Sequence, residues 1–72
     1  MSVEYFDVCD TAFKRNMSTG DLFVLRSTPD GKVYEDEPTE TEFGRFSRNW
    51  STSSVISEEI AYKLALNPSI SY

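Results

Sequence analysis

Thr28-Pro29-Asp30-Gly31 stands between two runs of strand-forming residues, Leu22-Phe23-Val24-Leu25-Arg26 before it and Lys32-Val33-Tyr34-Glu35 after it. Proline presets φ where a turn begins, and glycine accepts the positive φ that a turn often needs near its end. The chain is therefore expected to double back as an antiparallel β-hairpin over residues 21–35. A lone hairpin is marginal in water, so other elements must cover its apolar face.

Those elements are legible to different degrees. Val3-Glu4-Tyr5-Phe6-Asp7-Val8 is rich in β-formers with imperfect alternation, as expected of a strand covered on both faces or lying at an edge. Asp10 can cap a short helical turn through Ala12-Phe13-Lys14-Arg15, ended by Ser18-Thr19-Gly20. Beyond Pro38 two readings stand. Thr39 and Glu42 fit a capping box, and Phe43, Phe46 and Trp50 recur at helical spacing; Gly44 and the Ser/Asn content leave a third strand as the alternative. Helix is preferred. Ser51-Thr52-Ser53-Ser54 reads as a polar linker, after which Ser57 caps a helix over residues 57–66 with Ile60 and Leu64 buried and Pro68 as the stop.

Seventy-two residues suffice for a single domain spanning 1–72, since two would leave neither half a core. Val, Ile, Leu and Phe make up 17 of those residues, above the level of a disordered chain, so the chain should fold. The expected class is α+β: an antiparallel hairpin with one or two further strands, packed against a C-terminal helix. Cys9 has no disulfide partner and no His to activate it, and is expected to be a small buried hydrophobe. The sequence has no basic and apolar leader and no run near the ~20 apolar residues that span a bilayer. A cytoplasmic protein that makes no membrane contact is expected.

The charge is concentrated. Asp30, Glu35, Asp36, Glu37, Glu40 and Glu42 face only Lys32 in residues 30–42, a local net of −5 that equals the net charge of the chain. Such a stretch can serve as a solvated sheet edge protected from aggregation, or as a docking face for a basic partner. The following residues invert the character: Arg45, Phe46, Arg48 and Trp50, with Phe43, could stack bases and contact phosphates. The alternative is an aromatic core face with the arginines outward, which the helical spacing and the acidic neighbour favour.

Catalytic chemistry has little to work with, because the chain lacks His and has one Cys, and its carboxylates do not follow a calcium-loop spacing. No enzymatic activity, cofactor or metal is expected. Residues 56–70, Ile-Ser-Glu-Glu-Ile-Ala-Tyr-Lys-Leu-Ala-Leu-Asn-Pro-Ser-Ile, resemble the first helix and turn of helix-turn-helix DNA-binding domains. The resemblance would imply a recognition helix next. Ala65 stands where that turn commonly has Gly, however, and residues 71–72 cannot build a groove-reading helix.

The chain thus reads as a small acidic regulatory protein of inhibitor or adaptor type that binds another protein, a class that includes proteins carried by phages and mobile elements. The candidate contact residues are Asp30, Glu35, Asp36, Glu37, Glu40 and Glu42. The alternatives are a nucleic-acid-binding regulator using Arg45, Phe46, Arg48 and Trp50, and a structural homodimer joined through the hairpin edge.

Overall fold

A computed structural model describes residues 2–66. Five strands form one antiparallel sheet: β1 (Val3–Val8), β2 (Thr11–Asn16), β3 (Leu22–Ser27), β4 (Val33–Asp36) and β5 (Ser54–Ile56), in the order β4-β3-β2-β1-β5. Two helices, α1 (Glu40–Asn49) and α2 (Glu58–Leu66), complete the α+β fold, with a 3₁₀ turn at Trp50–Thr52. The expected hairpin is β3–β4, with Gly31 at φ +86° in its turn.

The helices take opposite faces of the sheet. Neighbouring residues of a strand point to opposite sides, and here Phe13 and Val24 pack with Phe6, Val8 and the α1 residue Phe46, whereas Ala12 and Leu25 pack with Ala61, Leu64 and Ala65 of α2. The inner strands are therefore buried on both sides. That explains why residues 12–15 were expected to be helical and are instead the second strand: a strand covered twice loses the polar alternation that marks it. Thr11–Asn16 pairs with β1 in the register Phe6↔Phe13 and with β3 in the register Phe13↔Val24. The packing of Phe13 outweighs the weak cap at Asp10.

The turn joining β1 to β2 is two residues long, Cys9 and Asp10, at φ +51° and +64°. Positive φ at both positions is the two-residue hairpin turn that matches strand twist. Cys9 is therefore exposed at a turn rather than buried. Its expected core role fails because Val8, one residue earlier, takes the inward position.

The stretch after Pro38 resolves as helix over Glu40–Asn49, with the capping box at Thr39 formed and Trp50 opening the 3₁₀ turn. The Thr39 hydroxyl accepts from the Glu42 N–H at 3.2 Å, and Glu42 Oε1 accepts from the Thr39 N–H at 2.8 Å. The stretch expected as a linker instead supplies the 3₁₀ turn and β5, which pairs with β1 through Tyr5↔Ile56. Ser57 then caps α2, its hydroxyl accepting from the Ile60 N–H. Because Ile56 is in a strand, the buried stripe of α2 is Ala61, Leu64 and Ala65, and Ile60 is 40% exposed rather than buried. Tyr5 ties the start of α2 to the sheet by donating to Glu58 at 2.9 Å, and burial together with that bond pushes its phenol up to about 12. Pro68 and the rest of the helix-turn-helix resemblance beyond Leu66 lie outside the described residues.

Candidate functional site

The six acidic candidates do not share one surface. Asp30 sits in the β3–β4 turn and accepts from the Thr28 hydroxyl. Glu37 lies at the other end of β4, whose four residues of strand span roughly 13 Å. Glu35 receives an ion pair from Lys14 across the sheet on the α2 side. Asp36 and Glu42 converge on Arg26 on the α1 side, where Arg26 Nε meets Asp36 at 2.8 Å and its two terminal nitrogens meet Glu42 at 3.1 and 2.7 Å.

This two-pronged contact with Glu42 locks α1 to β3. The Arg26 guanidinium holds both carboxyls below the usual carboxylate range, with the Glu37 N–H adding to the effect at Asp36 and the Thr39 N–H at Glu42. Three of the six carboxylates are thus occupied inside the fold. Glu37 and Glu40 make no ion pair among the described residues and stand exposed where β4 passes into α1.

The aromatic segment is also divided. Phe46 alone enters the core, edge-on to Phe6 with centroids 5.3 Å apart and tilted against Phe13 at 5.1 Å. Phe43 and Trp50, expected on the same core face, remain 55% and 43% exposed. Both line hollows beside α1 instead of the core. Arg15 of β2 lies over the Trp50 ring, 5.5 Å from its centroid. Arg45 and Arg48 are exposed, with the Arg48 side chain folded back along α1 over Gly44.

Between the open end of the sheet and α1 lie two hollows that share Gly20, Leu22 and Phe43. One, of about 240 Å³, is completed by Arg15, Phe46, Ser47 and Trp50. The other, of about 380 Å³, is completed by Asp21, Phe23, Glu37 and Pro38. Their common wall is the β2–β3 loop, held by its own hydrogen bonds: Asn16 Oδ1 accepts from the Ser18 and Thr19 N–H groups, and the Thr19 hydroxyl donates to Asp21. Gly20 completes that loop at φ +81°.

Sequence reasoning named Trp50 and Glu37 but not Arg15, Gly20, Asp21 or Leu22 as neighbours of either. The alternation of Leu22 and Val24 against Phe23 and Leu25 hinted at two buried faces, and nothing local showed which loop would meet α1.

No group of three or more metal-ligating side chains occurs among the described residues, and no described helix is long and apolar enough to cross a membrane. Comparison with protein-family models, curated proteins and solved structures finds no match.

Proposed function

We propose that this chain is a small non-enzymatic regulator, of inhibitor or adaptor type, that binds another protein with a basic surface in the cytoplasm. The observation that supports it most is the placing of Glu37, which makes no ion pair among the described residues, beside the apolar surface of Pro38, Leu22 and Phe43, with exposed Glu40 two positions past Pro38. Charge steers a basic partner to the site, and a neighbouring apolar floor supplies the burial that charge alone does not. The other four acidic residues serve different ends. Glu35, Asp36 and Glu42 hold the fold, and Asp30 sits in the far turn.

The test is capture from lysate of the source cell by the wild-type chain and by Glu37→Lys/Glu40→Lys, with mass spectrometry of the retained proteins. A protein held by the first, released by moderate salt and absent from the second is the expected result. An identical retained set from both chains would remove the acidic junction from the binding surface.

The exposure of Phe43 and Trp50, with Arg15 over the indole, favours a second reading as a binder of single-stranded nucleic acid. The carboxylates at the same groove oppose phosphate, which ranks this reading second. Trp50 is the single Trp, so saturable, salt-reversible quenching of its emission by an oligonucleotide would promote it.

A further inference from the structure

We infer that the two hollows lined by Phe43 form one groove that receives a short segment of the partner protein in a fixed direction. This rests on the protein-binding reading above. The segment carries a basic side chain, then two apolar side chains, then an acidic group.

Gly20, Leu22 and Phe43 line both hollows, which makes the two neighbours along one groove. At about 30 Å³ per water, the smaller holds roughly eight waters and the larger roughly a dozen. Each has room for one large side chain. Leu22, Phe23, Pro38, Phe43 and Trp50 give the linings more apolar than polar surface, so burying an apolar group there is favourable.

The two ends differ in charge. Asp21 and Glu37 border the larger hollow, and Glu37 has no ion pair among the described residues. Arg15 borders the smaller one. Its guanidinium rests on Trp50, and no carboxylate forms an ion pair with it among the described residues, Glu4 opposite it in the β1–β2 register included. An occupant is therefore oriented by opposite charges at its two ends, while apolar burial in the two hollows holds it.

The groove is formed before binding. Its loop wall is fixed by the Asn16 and Thr19 hydrogen bonds, and its helical wall by Phe46 and the Arg26–Glu42 contact. Little ordering is left to oppose association.

The test is selection of a displayed library of random twelve-residue peptides, lacking Trp, against the full chain at low salt. Affinities of the retained peptides are then measured through Trp50 emission. The expected result is enrichment of Lys or Arg, two apolar residues and Asp or Glu as one ordered pattern, with the same N-to-C direction in all the retained peptides. Phe43→Asp and Phe43→Ser should each weaken binding at least tenfold while the thermal unfolding midpoint stays near that of the wild type. Glu37→Lys, selected afresh, should enrich an acidic residue in place of the basic one.

Peptides that are basic but insensitive to both Phe43 variants would overturn the groove and leave the broader acidic-surface reading standing. No enrichment at all would overturn the groove also, with the lysate comparison still deciding the broader reading. Displacement of a selected peptide by an oligonucleotide that binds more tightly would assign the groove to nucleic acid and overturn the peptide proposal.

Discussion

The two helices cover opposite faces of one sheet by different means. α2 lays Ala61, Leu64 and Ala65 against Ala12 and Leu25, so small side chains bring backbone close to backbone and nearly the whole inner stripe is spent on the core. α1 buries Phe46 alone and is held at its start by Arg26, Asp36 and Glu42. The rest of its apolar stripe, Phe43 and Trp50, stays half exposed. A helix with one deep anchor and an ion-paired end leaves side chains available to a partner. α2 also leaves Ile60, Tyr62 and Leu66 partly in solvent, so what singles out α1 for the proposed binding surface is the pair of hollows beside Phe43 and Trp50 and the opposite charges that border them.

The sharpest way to break this comparison is to remove the anchor. Phe46→Ala should cost about 3–5 kcal/mol through lost burial and the cavity left between Phe6 and Phe13. Urea unfolding followed by circular dichroism measures it; a loss below about 1 kcal/mol would mean that α1 is not fixed through Phe46.

Enlarging α2's closest contact is the matching change on the other face. Ala61→Leu should cost about 1–3 kcal/mol by overpacking, because Ala61 is fully buried against the sheet. A neutral result in the same urea titration would show that α2 can lift off as easily as α1.

Next in size is the ionic end of α1. Arg26→Gln leaves the largely buried Glu42 carboxylate without its main partner and should cost about 1–2 kcal/mol near neutral pH. Glu42 and Asp36 are held below their ordinary values by Arg26, so the pair stabilises fully above the unfolded carboxylate range. As pH falls below roughly 4.5, the unfolded chain takes up protons first and that stabilisation is lost down through the folded values. The stability gap between wild type and Arg26→Gln should therefore be widest above pH 5 and narrow toward pH 3. A gap that does not change with pH would remove the ionic contribution from the comparison.

The smallest effect is the most discriminating. Phe43→Ser should change stability by about 0.5 kcal/mol or less, since more than half of the ring is already in water. A loss of about 2 kcal/mol or more would place Phe43 in the core and erase the distinction between the helices.

Several parts of this molecule were open to reading from the chain. The hairpin turn at Pro29-Asp30-Gly31, the Thr39–Glu42 capping box and the Ser57 cap all rest on residues within four positions of one another, and local chemistry of that range survives in any compact setting. Candidate residues were less legible. Glu35, Asp36 and Glu42 looked like one acidic patch, but their cations lie 21, 10 and 16 residues away in sequence.

By itself, the sequence determined that this chain forms an α+β fold with a hairpin and capped helices, and that its surplus negative charge gathers after the hairpin turn. Only the tertiary structure decided that Ala12–Arg15 belongs to a central strand, that Cys9 turns outward, and that Phe46 sinks while Phe43 and Trp50 do not. It also decided which carboxylates are spent on Lys14 and Arg26 and which still face solvent beside Phe43. The division follows from range. Turns and caps are satisfied by neighbours along the chain, whereas burial, ion pairing and the shape of a groove depend on which distant elements the sheet brings together.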